Sequence, residues 1–106
     1  RSSLRGFCGT DKRFSILTDD LSRCMICGRR QHIDKHEIFF GSLRKKSIKY
    51  GLVVPLCHEI HHQGADGVHG KNGRDLDLHL KWLGQMAFER EYPELDFREE
   101  FGRNYL

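Results

Sequence analysis

The chain has 106 residues, of which 38% are hydrophobic and 31% are charged, and its formal net charge is +3. This length is typical of one domain with a small core, and no apolar run is long enough to span a membrane. The charge is compatible with a polyanionic partner but too small to require one. Since burial alone would give such a chain little stability, we expect a bound metal to contribute to folding.

The first 20 residues differ in composition from the rest of the chain. Residues 1–20 are polar and glycine-containing, which predicts an irregular N-terminal arm. We expect residues 21–106 to form a single domain with a C-terminal helical extension. Cys8 lies alone in the arm, without a second cysteine at metal-binding spacing. We interpret it as an unligated residue, with a role as an alternative metal ligand as the second interpretation.

A metal-binding pattern follows the arm. Cys24 and Cys27 form a Cys-x2-Cys motif, and Cys57 and His61 lie together on a later segment. Three thiolates and one imidazole satisfy tetrahedral zinc, and a site closed in this way is structural. The histidine-rich second segment favours zinc over two disulfides in a secreted protein, which is the alternative that four cysteines leave open.

Two strands and a short helix are predicted around this pattern. Residues 33–40 mix apolar and polar side chains as a strand with one polar face would. The basic residues 43–50 and the apolar residues 51–56 suggest a hairpin whose loop is basic. Cys57 then opens a short helix, in which i, i+4 spacing places Cys57 above His61 and His58 above His62.

The C-terminal half is predicted to be a loop followed by helices. Residues 64–73 are rich in glycine and form a loop that carries His69. Apolar residues recur at helical spacing from Leu76 and predict a core-packing helix that ends before Pro93, followed by a short amphipathic segment over residues 97–101. We interpret His32 and His79 as surface or packing residues.

Several of these segments together resemble a known family. The segments resemble the zinc-stapled HNH endonucleases, especially small phage-type members, and more distantly the phage recombination-enhancement nucleases. The resemblance covers about residues 24–70 and depends on Cys24-Met25-Ile26-Cys27, Ile33-Asp34-Lys35-His36-Glu37-Ile38, Val54-Pro55-Leu56-Cys57 and His61-His62. It implies an α+β fold, a small zinc-stapled ββα-metal (HNH, or His-Me finger) core with a C-terminal helix. The implied activity is metal-dependent hydrolysis of DNA phosphodiester bonds, by nicking.

The resemblance also implies ligands for two metal ions. The structural Zn²⁺ would be held by Cys24, Cys27, Cys57 and His61. A catalytic cation would be bound by His62, with Asp34 as a further candidate. Apart from the resemblance, His69 is another candidate ligand or a phosphate contact, because the glycines around it let the backbone approach closely, and a solvated loop histidine is the alternative. Mg²⁺ is the expected ion, although a histidine-rich site leaves Mn²⁺, Ni²⁺ or a second Zn²⁺ open because Mg²⁺ prefers oxygen ligands.

The general base has two candidates. His36 is favoured, because an unperturbed imidazole titrates near neutrality and suits proton abstraction from water. Asp34 or Glu37 would then help to hold the metal. In the alternative, His36 is a ligand and Glu37 replaces the base.

The chain departs from the family pattern at two places. The spacing after Cys57 is Cys-x3-His-His rather than Cys-x2-Cys-His, and the central Asn is absent from the neighbourhood of Tyr50, Gly51 and Leu52. These departures leave a second function open, in which the chain is a noncatalytic zinc module that binds nucleic acid or a protein.

A basic stretch supplies candidate DNA contacts. We expect its cations to contact phosphates in a salt-sensitive manner, although a solvated run of charges is the alternative. The four residues are Arg44, Lys45, Lys46 and Lys49. No base-reading element is apparent, so DNA would be bound with little sequence specificity. One small active site would nick one strand, so cutting both strands would need a homodimer or two separate events. The expected location is the cytoplasm of a bacterial or phage-infected cell.

Overall fold

The computed structural model describes residues 13–106, so Cys8 and much of the predicted arm lie outside the described residues. The described chain is a small mixed α/β structure with a two-stranded antiparallel sheet. Residues 13–32 contain turns and bends but no helix or strand. The elements that follow are β1 (Ile33–Glu37), a 3₁₀ turn (Gly41–Leu43), α1 (Arg44–Tyr50), β2 (Val53–Cys57), a π-helix (His58–His62), α2 (Arg74–Glu91) and α3 (Phe97–Phe101).

The sheet presents two polar side chains on one face. Strand β1 pairs antiparallel with β2, in a register that places Asp34 opposite Leu56 and His36 opposite Val54. All five residues of β2 are buried. Because side chains alternate between the faces of a strand, Asp34 and His36 share a face. The predicted strand ends at Glu37 rather than Phe40, since Ile38 and Phe39 enter the core beside α2.

The two predicted strands pair antiparallel as a hairpin would, but the basic segment that joins them is a helix and not the predicted loop. Ser47 and Tyr50 are buried and, with the half-buried Leu43, form one face of α1 at helical spacing. The Ser47 hydroxyl donates to the Phe39 carbonyl (2.7 Å) and accepts from the Phe39 amide (3.0 Å). Gly51 ends the helix in the left-handed conformation (φ 77°), which glycine adopts without strain. The basic side chains therefore project from a helix.

An aromatic core supports the sheet from the C-terminal side. Phe39 packs against Phe97 and Phe101, with ring centroids 5.4 and 4.8 Å apart, and Phe88 of α2 lies 5.5 Å from Phe97. The helix predicted from Leu76 to before Pro93 and the short segment over residues 97–101 are both present. Within residues 13–106, no helix has the length and apolar character that crossing a membrane requires.

Candidate functional site

The four predicted zinc ligands lie together. The ligand atoms of these residues are within 4.8 Å of one another, and we call Cys24, Cys27, Cys57 and His61 the cysteine group. The Cys27 and Cys57 sulfur atoms are 3.8 Å apart, and His61 Nδ1 lies 3.5 Å from Cys24 Sγ and 3.2 Å from Cys57 Sγ. The three cysteines of the described residues are unbonded to each other. The spacing after Cys57 predicted His61 as the fourth ligand, and these distances agree with that prediction.

These distances suit a tetrahedral zinc ion. Zn–S bonds of about 2.3 Å and Zn–N bonds of about 2.0 Å would separate two sulfurs by about 3.8 Å and a sulfur from a nitrogen by about 3.5 Å. A disulfide would need the sulfurs about 2.05 Å apart. The cysteine group is thus consistent with a structural zinc site and not with a disulfide among its members.

The local backbone explains how the cysteine group forms. The Met25 amide donates to the Pro55 carbonyl at 2.9 Å, which fixes the Cys-x2-Cys turn to β2 close to Cys57. Burial raises the pKa of the Cys24 thiol, but hydrogen bonds to backbone amides, including those of Cys27 and Cys57, outweigh burial and lower this pKa to about 6. Since the thiolate is the metal-binding form, these amides prepare Cys24 for zinc.

A second group of metal-ligand side chains lies beside the first. The ligand atoms of His36, His62 and His69 are also within 4.8 Å of one another, and we call these residues the histidine group. The His36 ring centroid is 5.1 Å from those of His62 and His69, which are 4.8 Å from each other. His61 and His62 are consecutive, so the π-helix supplies one ligand to each group.

His36 is the most enclosed member of the histidine group. Only 2% of the surface of His36 is exposed to solvent, and its Nε2 atom has no hydrogen-bond partner among the described residues. Burial first, and then electrostatic repulsion between its protonated form and His62, His69 and Lys81, lowers the pKa of His36 to about 3, and burial also lowers the pKa of His69. Both rings are therefore neutral near pH 7, as metal binding requires. A buried nitrogen without a partner fits a metal ligand, because leaving such an atom unpaired is costly.

Asp34 lies behind the histidine group. Its Oδ2 accepts hydrogen bonds from His62 Nδ1 at 2.8 Å and His58 Nδ1 at 2.6 Å. Burial raises the pKa of Asp34, but these two hydrogen bonds outweigh burial and lower it. A carboxylate on Nδ1 fixes the orientation and tautomer of the His62 ring and leaves Nε2 for a metal. Asp34, His58 and His62 could alternatively hold an ion themselves, since their ligand atoms also lie within 4.8 Å of one another.

His69 is positioned by a tightly folded loop. Its amide donates to the His62 carbonyl at 3.0 Å, which places the loop directly on the π-helix. Gly67 permits this close approach, because a Cβ there would lie 2.7 Å from the His61 carbonyl carbon and 2.8 Å from the His62 nitrogen. The glycine-rich loop thus brings His69 to the histidine group by a close approach of its backbone.

Gly67→Ala should displace His69 and weaken divalent-metal binding at the histidine group. Because backbone atoms would have to move, we expect a loss of about 1–3 kcal/mol in the free energy of unfolding. Urea denaturation and Mn²⁺ titration of the zinc-loaded protein would measure both effects. Lys71→Ala, an exposed position in the same loop, is the control. A Gly67→Ala variant that matches this control in both measurements would contradict the role given to Gly67.

The other candidate residues are distributed around the two groups. Glu37 Oε2 lies 2.6 Å from Arg13 Nε, and its Oε1 lies 3.5 Å from Arg44 Nε. Lys46 pairs with Glu100, whereas Lys45 and Lys49 are exposed and form no ion pair with described residues. Two of the four predicted phosphate contacts therefore already face acidic partners.

The two histidines interpreted as surface or packing residues lie outside both groups. His32 is exposed and bonds to Glu59 at 2.7 Å, and His79 stacks on Trp82. Neither reaches the histidine group, which agrees with that interpretation.

Sequence analysis missed an ion pair near the histidine group. Lys81 Nζ lies 2.7 Å from Asp77 Oδ2, on a helix that was interpreted only as core packing. The same nitrogen lies 4.4 Å from the Phe40 ring centroid, and that ring is 5.0 Å from the His69 ring. The i, i+4 spacing of the pair was a visible signal for an ion pair, but it does not reveal proximity to His69.

Comparisons with protein-family models, with curated proteins and with solved structures found no match for this chain. What supports a function is therefore the arrangement of the side chains, with a closed cysteine group and an adjoining histidine group that share the π-helix.

Proposed function

We propose that the chain is a metal-dependent DNA endonuclease of the HNH type, which nicks DNA by hydrolysing a phosphodiester bond. The observation that carries the proposal is the histidine group, which lies beside the cysteine group but shares no residue with it. A zinc module with a purely structural role needs only the first group. A second set of convergent imidazoles supports a metal site with chemistry of its own.

The donor set fits a divalent cation, and each residue then has a separate task. His36, His62 and His69 would hold the ion, and Asp34 would orient His62 through Nδ1. The bound cation would polarise the phosphodiester and stabilise the charge that develops on the leaving oxygen. Because nitrogen ligands dominate, Mn²⁺, Ni²⁺ or Zn²⁺ suits the group better than Mg²⁺.

Two roles were considered for His36, general base and metal ligand, and its burial favours the role of metal ligand. A general base must reach the attacking water, whereas His36 is 2% exposed and its unpaired Nε2 lies within the histidine group. We therefore assign His36 to metal binding. This leaves Glu37 as the other candidate base; its carboxylate pairs with Arg13 and Arg44 and lies outside the histidine group.

DNA binding would use the exposed face of α1. Lys45 and Lys49 are exposed and form no ion pair with described residues, so both are available to phosphates, with Arg44 beside them. Contacts of this kind carry no base information, and the affinity should fall as the salt concentration rises.

Cleavage of supercoiled plasmid by the purified, zinc-loaded protein tests the proposal. We expect nicked circles with added Mn²⁺ or Ni²⁺, slower nicking with Mg²⁺, and none when no cation is added beyond the structural zinc. If the folded, zinc-loaded protein leaves the plasmid supercoiled with all three ions, the nuclease proposal is wrong. Retained DNA binding in that case would favour the noncatalytic zinc module.

A further inference from the structure

The Asp77–Lys81 ion pair is unusual in its burial. The side chains are only 17% and 13% exposed, and Lys81 Nζ contacts both Asp77 Oδ2 and the face of Phe40. Lysine is rarely so enclosed, since removing an ammonium group from water is costly. The second oxygen of the carboxylate, Asp77 Oδ1, is buried and has no hydrogen-bond partner among the described residues. The pair is therefore difficult to explain by stability alone.

The pair lies one aromatic ring away from the histidine group. Phe40 contacts the rings of His36 and His69, with centroids 5.8 and 5.0 Å away, and carries the Lys81 ammonium on its own face. Phe40 itself is 38% exposed, so this side of the site is open to a ligand.

The charges around the histidine group favour an anion next to Lys81. Asp77 offsets the charge of Lys81, and Asp34 offsets part of the charge of a divalent ion held by the histidine group. Counted together with Glu37, Arg13 and Arg44, the assembled site would carry an excess of positive charge, which a phosphodiester monoanion would reduce. Lysine has three donors, and Asp77 occupies one of them. An ammonium group fixed in this way is preorganised for a phosphate oxygen.

We propose that Lys81 is a phosphate-binding residue of the histidine site, which contacts the scissile phosphate or its immediate neighbour in DNA, and that Asp77 is its positioning residue. This inference rests on the proposed function and adds a substrate-binding residue from α2. Helix α2, which packs on the core, would then also bind the substrate directly.

Plasmid nicking by variants of Lys81, with Mn²⁺ and the zinc-loaded protein, tests the inference. Lys81→Gln should lower the rate at saturating DNA by about 100-fold, as loss of one preorganised donor does. Lys81→Arg should recover at least a tenth of the wild-type rate. Arg90→Gln, which removes a positive charge from an exposed position on the same helix, is the matched control and should nick like wild type.

A double variant separates phosphate binding from a structural role. Asp77→Leu combined with Lys81→Met replaces the pair by apolar side chains of similar size, which usually leaves stability unchanged or improved. We expect this variant to fold, to bind Mn²⁺ as wild type does, and to remain defective in nicking. Restored nicking in the double variant would overturn the inference, because the pair would then have mattered only for packing.

The outcomes distinguish the inference from the proposed function. If the wild type nicks plasmid and Lys81→Gln nicks equally well, only the role of Lys81 is wrong. If the wild type nicks nothing with any of the ions, the nuclease proposal fails and the role of Lys81 in it fails as well.

Discussion

His62→Ala should reduce plasmid nicking by more than about 100-fold while the zinc content stays at one ion per chain. His62 is a member of the histidine group, with its ring centroid 5.1 Å from that of His36 and 4.8 Å from that of His69. Its neighbour His61 belongs to the cysteine group, so the structural zinc should remain bound. Nicking rates and zinc analysis of the same preparation measure both parts of the prediction.

His58→Ala is the matched control on the same π-helix. His58 reaches Asp34, but its side chain is 52% exposed and it does not belong to the histidine group. We expect its nicking rate to stay within about threefold of wild type, as for most exposed positions. Equal losses in the two variants would instead place the catalytic ion among Asp34, His58 and His62.

Cys57→Ser should abolish zinc binding and unfold the protein. Cys57 is fully buried, and its thiolate closes the cysteine group at the end of β2. Structural zinc contributes about 10–16 kcal/mol in small zinc-binding peptides. Small domains have a total stability of only about 5–15 kcal/mol, so loss of the ion exceeds what this core can offset. Circular dichroism and zinc analysis should show an unfolded chain without metal.

Two controls accompany this prediction. Cys8→Ser should bind zinc as wild type does, because Cys8 is interpreted as unligated. A strong chelator should unfold the wild type, and added zinc should restore its structure. A Cys57→Ser chain that stays folded and still carries one zinc ion would show that the cysteine group is not the structural site.

Local sequence patterns predicted much of the scaffold and the cysteine group. Cys24 and Cys27 are close in sequence, and Cys57 and His61 are four residues apart, so spacing alone suggested their association, but the short helix begins at His58 and not at Cys57 as predicted. The helix α2 and the two strands followed from apolar periodicity. The error lay in the basic segment, where charge obscured the buried face of Leu43, Ser47 and Tyr50.

The composition of the histidine group was less predictable. His36 and His62 were chosen by resemblance, but the position of His69 depends on how the loop folds at Gly67. Asp34 was considered a metal ligand, whereas its hydrogen bond to His62 gives it an orienting role. The Asp77–Lys81 pair was missed because its proximity to His69 depends on the packing of α2 against Phe40, which no local pattern reports.

Anomalous diffraction from crystals of the zinc-loaded protein soaked in Ni²⁺ tests the central claim, that two distinct metal sites lie side by side. We predict a zinc peak within the cysteine group and a separate nickel peak among His36, His62 and His69. Nickel found only at the zinc position, or only between Asp34 and His58, would contradict the second site on which the nuclease proposal depends.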